Sequence, residues 1–265
     1  MKIYILTAVY LLWSLSLLGQ KLDKKDQQES WNKRVFSIED FINKFNGSID
    51  LNNENITDDD EKKNRQIQTI LYLINDDEHQ LFEDSIKAFV LASIGEKGTK
   101  KIGLTNQDCY AEVTFSSTYN GRQELIKGYF SLTSGKDQTQ HWSMEGLASS
   151  TLGNFTAKKN QLTFPPNSHG NDFGSVSAQL SSKIGSNSPQ PNSKLLQEMK
   201  GGKIKINQVT NVTYHFFQVK NWYFMVSEYN KKNQLSGWLI RTIKYIPDPE
   251  KSTEKKKIIP ILKSS

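Results

Sequence analysis

Apolar and polar positions change their rhythm several times along this chain, and each change marks a different kind of element. Residues 3–18 are uncharged and mostly apolar, follow Met1-Lys2, and give way after Gly19-Gln20 to Lys21-Leu22-Asp23-Lys24-Lys25-Asp26. One positive charge, a short apolar run and a small residue ahead of polar sequence have the form of an export signal. The run is shorter than the ~20 residues of a membrane-crossing helix. Cleavage after Gly19 and a mature start at Gln20 are therefore expected over a permanent anchor, although Leu17 is larger than the residue usual at that place. Residues 20–34 are polar and read as a flexible segment.

Helical spacing follows. Ser37 begins a helix carrying Ile38, Phe41, Ile42 and Phe45, and Asn46-Gly47 ends it. An acidic, Asn-rich loop over 50–60 leads to a second helix over 63–74, with Ile67, Ile70, Leu71 and Ile74 on one face. A third covers 78–94, and Gly95 and Gly98 stop it. The period then becomes two. Residues 112–119 alternate, Asn120-Gly121 is a hairpin turn, and strands over 124–132 and 139–147 complete a three-stranded meander. A crossover over 148–203 holds an extended piece at 155–164, a Pro-rich loop at 165–170, a helix over 171–184 and a short helix over 193–199. A second meander runs 203–219, 222–229 and 235–246, with apolar residues on both faces of its strands, as in strands covered on both sides. Residues 247–265 read as a lysine-rich, disordered tail.

These elements predict an α+β chain: a signal peptide at 1–19, a flexible segment at 20–34, one domain at 35–246 and a basic tail at 247–265. Within the domain, helices over 37–94 pack on a curved antiparallel sheet made of the meanders 111–147 and 204–246, with the crossover 148–203 between them. The two halves share a helix-then-meander plan without a convincing sequence repeat.

Composition narrows the chemistry. The single cysteine, Cys109, allows no internal disulfide and leaves no lipid-anchoring cysteine at the expected mature N-terminus. Lysine and arginine number 34 against 28 acids, a net charge of +6, but the lysines are dispersed and no arginine cluster suggests a nucleic-acid groove. No nucleophile elbow, paired-cysteine, zinc-protease or nucleotide-loop motif is present, so no cofactor, metal or catalytic set is assigned. The acidic run Asp58-Asp59-Asp60-Glu61 lacks the ligand spacing of a calcium loop and suits a helix start.

Of the four histidines, His79 reads as solvated. His141 and His215 lie within strands, where a hydrogen-bonded structural imidazole competes with a functional one. Ser168-His169-Gly170-Asn171-Asp172 places a hydroxyl, an imidazole and a carboxylate ahead of a helix, either as a site or simply as a cap. Glu145 and Glu228 are the strand carboxylates to watch. The candidate pocket residues are His141, His169, Asp172, Tyr214, His215, Trp222, Tyr223 and Trp238; the aromatic members equally suit a packed core.

The order of helices and meanders over 36–246 resembles the cystatin-like cone of the nuclear transport factor two superfamily, which includes ketosteroid isomerase. That resemblance implies a pocket between helices and a curved sheet. Six strands and the inserted crossover depart from the compact family pattern, and no family catalytic residue maps onto a position here. Phe41-Ile42-Asn43-Lys44-Phe45-Asn46, the hairpin from Tyr110 to Gly121, Ser168-His169-Gly170-Asn171-Asp172-Phe173 and the strands from Trp222 to Ile240 resemble uncharacterised exported proteins of Bacteroidetes. This implies export and a shared fold, without an activity.

Two functions compete. The first is a non-enzymatic exported module that binds an apolar small ligand or an envelope protein. The second is an isomerase- or dehydratase-like enzyme with a His/Asp acid–base pair in the cone. An envelope-assembly role for the basic tail is a third.

Overall fold

The computed structural model describes residues 34–52, 59–74, 83–94, 101–105, 108–134, 139–157, 162–164, 172–187, 193–229 and 236–264. The predicted signal peptide, the start at Gln20, His79 and the loop holding His169 lie outside the described residues.

The first described helix, α1 (Ile38–Phe45), begins as its sequence requires. Ser37 is extended, its Oγ accepts the Asp40 N–H at 3.1 Å, and the Asp40 carboxylate accepts the Phe36 N–H at 3.0 Å. One orphan donor of the helix and the N–H of the residue before its cap are thereby satisfied. Helices α2 (Asp59–Leu73) and α3 (Glu83–Ile94) follow. Phe41 and Phe45 of α1 and Phe89 of α3 point into one core.

Among the described residues the sheet has eight strands, all paired antiparallel: β1 (Cys109–Tyr119), β2 (Arg122–Ser134), β3 (Gln140–Ser149), β4 (Gly153–Thr156), β5 (Thr163–Phe164), β6 (Ile204–Phe216), β7 (Trp222–Tyr229) and β8 (Gly237–Tyr245). Their order is β4-β3-β2-β1-β6-β7-β8, with β5 also paired to β3. The predicted fold class is observed: α+β, with helices packed on an antiparallel sheet of two meanders. Asn120 and Gly121 take φ of 49° and 78°, so the turn sets Tyr119 opposite Arg122 and Glu112 opposite Tyr129. The single extended piece expected at 155–164 is instead two short strands, β4 and β5, pairing with opposite ends of β3.

The meanders meet where β1 pairs β6, from Cys109 opposite Phe216 to Tyr119 opposite Ile204. Two register shifts interrupt this seam and leave Thr210 and Asn207 as extra residues on β6. Both are tied back to β1: Thr210 Oγ1 donates to the Thr114 carbonyl and Asn207 Nδ2 to Thr118 Oγ1, each at 3.1 Å.

The helices pack on one face of the sheet, across both meanders. Phe45 of α1 stacks on Phe224 of β7 at 5.2 Å, Phe216 stacks on Phe224 at 4.9 Å, and Phe89 meets Phe224 edge-on at 5.5 Å. Helix α4 (Asp172–Asn187) places Phe173 against Trp142 and Phe130 of the first meander. The short α5 (Lys194–Lys200), capped by Ser193, buries Leu195, Leu196 and Met199.

The end of the chain corrects the sequence reading. Residues 247–264 are ordered as a 3-10 turn (Asp248–Glu250), helix α6 (Lys251–Ile258) and a second 3-10 turn (Pro260–Ser264). This strap crosses the sheet face opposite the helices and buries Ile259 and Ile261 completely. Lysine content suggested disorder, but Lys251 donates to the carbonyls of Phe217 and Val219 at 2.9 and 2.6 Å, and Lys255 pairs with Asp108. Cover on both sides also explains why β7 is apolar on both faces.

Where the chain enters the fold, Val35 bridges Gly237 at the start of β8, and the Trp238 N–H donates to the Val35 carbonyl at 3.0 Å. Gly237 has φ of 109°, and a Cβ there would lie 2.1 Å from that carbonyl oxygen. Gly237→Ala is expected to cost about 2 kcal/mol or more. Urea denaturation checks this through a lower midpoint at unchanged slope.

Candidate functional site

The outer face of the sheet gathers most of the polar groups that the strands enclose. On β1 the residues Cys109, Ala111, Val113 and Phe115 face the helices and are buried, so Tyr110 and Glu112 face outward. The same alternation turns Lys127 and Tyr129 of β2, His215 of β6 and Tyr223 and Met225 of β7 to that side. Pairing then makes Glu112 the centre. Tyr129 and Thr213 are its direct cross-strand partners, and Lys127 and His215 are its diagonal ones. Lys127 Nζ lies 2.7 Å from Glu112 Oε1, and His215 Nε2 lies 3.5 Å from Glu112 Oε2. The second distance marks an electrostatic contact longer than a good hydrogen bond. His215 Nδ1 is 2.9 Å from the Tyr223 hydroxyl, its diagonal neighbour on β7.

The electrostatics are consistent around this centre. Burial opposes ionisation of Glu112, but His215 and then Lys127 outweigh it and hold the carboxyl down at about 2. Tyr129 and Tyr223 are pushed well above the ordinary phenol range by burial and then by the Glu112 charge. Tyr110 is pushed up to about 12, by burial first and then by Asp108 and Glu145. The face thus combines a fixed anion with neutral phenols that donate hydrogen bonds.

The strap roofs this cluster. Ile259 and Ile261 pack with Tyr129, Phe217, Tyr223 and Ile246, and Tyr110, Ala148 and Met225 border them. A bulge in β3 admits the strap closely: Gly146 lies opposite Tyr129, and a Cβ there would sit 3.1 Å from Ile261 and 2.2 Å from the Phe155 carbonyl. Thr156 Oγ1 donates to the Ile261 carbonyl at 2.9 Å. At the other end, Asn221 and Asp248 exchange hydrogen bonds at 2.8 and 3.0 Å.

No family model, curated protein or solved structure matches this chain.

The eight candidates from the sequence separate cleanly. His215 and Tyr223 are brought together on the outer face. Tyr214, Trp222 and Trp238 lie on the helix side, where Tyr214 meets Trp238 at 5.4 Å and Trp142 at 6.4 Å, and Trp222 meets Phe89 edge-on at 5.6 Å. These three rings are interlocked core. His141 is half-buried on β3, where its carbonyl accepts from Thr133 Oγ1 at 3.3 Å. Asp172 starts α4 and His169 lies outside the described residues. Of the two carboxylates singled out, Glu145 accepts from Ser131 Oγ at 2.5 Å, while Glu228 is exposed and faces Arg34 at 3.5 Å.

Sequence reasoning missed Glu112, Lys127, Tyr129 and Tyr110. Their signal was the Asn120-Gly121 turn, since counting back from it pairs Glu112 with Tyr129. A shallow cleft of about 270 Å³ lies elsewhere, lined by Glu39, Ile42, Asn43, Gly103, Leu104, Thr105, Leu132 and Gln140. None of the eight candidates lines it. Among the described residues no group of three or more His, Cys, Asp or Glu is placed to hold a metal ion, and no helix is long and apolar enough to cross a membrane. Cys109 is buried, and burial pushes its thiol up, away from the reactive thiolate.

Glu112 makes the stability of the fold depend on acid. Its carboxyl is depressed, so its contribution is complete above the ordinary carboxylate range and is lost as pH falls towards 2. With a shift from 4.5 to about 2, that contribution is on the order of 3 kcal/mol. Glu112→Gln is expected to remove most of it at pH 7 and to flatten the loss of stability between about pH 4.5 and 2. Denaturant titrations across that range check both.

Proposed function

We propose that this is an exported protein that acts by binding a partner protein and not by turning over a substrate. Export rests on the signal-like run at 3–18. The observation that carries the binding reading is the fate of the candidate groups. Tyr214, Trp222 and Trp238 are packed ring against ring on the helix side. On the outer side Glu112, His215, Tyr129 and Tyr223 are directed at one another beneath the strap. A cone-shaped pocket for an apolar ligand, as the cystatin-like resemblance implies, would need those three rings to line an opening. Their contacts favour a partner that meets the surface, such as an envelope protein.

A second reading has one observation in its favour. The 2.9 Å contact of His215 Nδ1 with the Tyr223 hydroxyl, with Glu112 beyond Nε2, is an arrangement suited to proton transfer. An isomerase- or dehydratase-like enzyme would use His215 as acid–base group and Tyr223 as donor to a developing oxyanion, once the strap had moved aside.

Two measurements test these readings. N-terminal sequencing of the chain recovered from the envelope or the medium is expected to begin near Gln20; a cytosolic, unprocessed chain would count against export. A photo-crosslinking residue at Met225 or Lys256, beside the cluster, is expected to capture a discrete envelope protein. The same residue at Leu91 on exposed α3 is expected to capture none, and equal capture at all positions argues against a binding face. If Tyr223→Phe abolishes the biological effect while the Met225 crosslinks persist, the enzymatic reading gains.

A further inference from the structure

We infer that the outer face of the sheet is a docking groove for an Ile/Leu/Pro segment preceded by a short lysine-bearing helical turn, carried by a partner protein, and that residues 255–262 of this chain fill it as a displaceable plug. The inference rests on the binding reading and names its partner chemistry.

The strap itself shows what the groove accepts. Ile259 and Ile261 are fully buried against Tyr129, Tyr223 and Phe217. The Ile261 carbonyl is held by Thr156 Oγ1 at 2.9 Å, a main-chain contact that does not depend on the side chain. Charge is complementary: Asp108, Glu112 and Glu145 belong to the sheet side, and Asp108 takes the Lys255 ammonium. That ammonium also lies 5.8 Å from the centre of the Tyr110 ring and 5.5 Å from that of Phe217.

The floor carries more polarity than a permanent core layer needs. Ser143 and Ser227 are almost wholly buried, yet Ser143 Oγ and Ser227 Oγ have no hydrogen-bond partner among the described residues. Alternation with the core-facing Trp142, Met144 and Val226 places both serines on the outer side. A buried polar atom without a partner is costly. Two of them on one face provide hydroxyls that the strap leaves unused and a better-fitting segment can engage.

The plug is held less firmly than the floor. Helix α6 contributes no fully buried residue, and its Lys255–Asp108 pair is half-exposed on the Asp108 side, where salt screens it. The floor is fixed by strand ladders and by the Glu112 contacts. Release of residues 255–262 can therefore leave the sheet intact. The Asn221–Asp248 clamp and the Lys251 contacts keep the base of the strap in place.

The test uses the full chain and a fluorescein-labelled peptide copying residues 255–262. The double variant Ile259→Asp, Ile261→Asp is expected to bind the peptide at least ten-fold more tightly than the natural chain. Asp108→Asn in that background is expected to weaken binding several-fold, as is raised salt. A folded double variant, with unchanged circular dichroism and cooperative unfolding, that binds no peptide overturns the proposal. So does a self-associating double variant that binds none, because a second copy then occupies the groove. Hydrogen exchange on the natural chain decides the matter independently should the variant not fold. Amides of 255–262 are expected to exchange at least 100-fold faster than those of 111–117, and exchange of both only through global unfolding overturns the plug. If the peptide fails while the Met225 crosslinks persist, the groove assignment falls and the binding reading stands.

Discussion

The pairing of β1 with β6 is the constraint on which everything else rests. Among the described residues it is the one long ladder joining elements that are not neighbours in sequence, and without it there are two separate meanders. It sets Ala111 opposite Tyr214 on the helix side, continuous with the aromatic core. It also sets Glu112 one diagonal step from His215 on the outer side. Closing such a ladder requires bringing distant segments together before any contact rewards it. The tied-back Thr210 and Asn207 show how β6 absorbs two extra residues without leaving β1.

Because the sheet is central, both faces need cover, and they receive it in different ways. The helix side is covered by aromatic interlock: Phe41, Phe45 and Phe89 close on Phe216, Phe224 and Trp222. That surface is rigid because each ring is located by several others. The outer side is covered by a short strap that contributes two buried isoleucines and several lysine contacts. A close-packed core on one face and a thin, charged roof on the other make the outer face the one that can change its contacts without unfolding the chain.

What the sequence revealed follows the range of the forces involved. The Asn120-Gly121 turn acts locally, so the β1–β2 register and the Glu112–Tyr129 pairing were countable from it. Alternation in β7 separated Trp222, Phe224 and Val226 from Tyr223 and Met225, but period alone cannot say which side meets helices. That is why Trp222 and Tyr223 stood together as candidates and ended on opposite faces. The seam was not countable at all, because it has no connecting turn and two bulges shift its register. His215 and Glu112 could not be joined from sequence for that reason. The strap was misread because its lysines find partners only in the folded sheet: the carbonyls of Phe217 and Val219 and the carboxylate of Asp108.

The same cluster bears on the choice between binding and turnover. Proton transfer at a working pH is best served by groups whose ionisation lies close to it. Here Glu112 is held at about 2, while Tyr129 and Tyr223 are pushed far above the neutral range. His215 therefore sits between a permanent anion and a neutral phenol. Tyr129 gives its hydrogen bond to Glu112, and Nε2 of His215 faces the same carboxylate. A network whose members already hold one another in place suits a floor that recognises one kind of covering segment, since little reorganisation is needed on binding. The position of Glu112, surrounded by His215, Lys127 and Tyr129, is thus the physical reason to favour recognition on this face over catalysis.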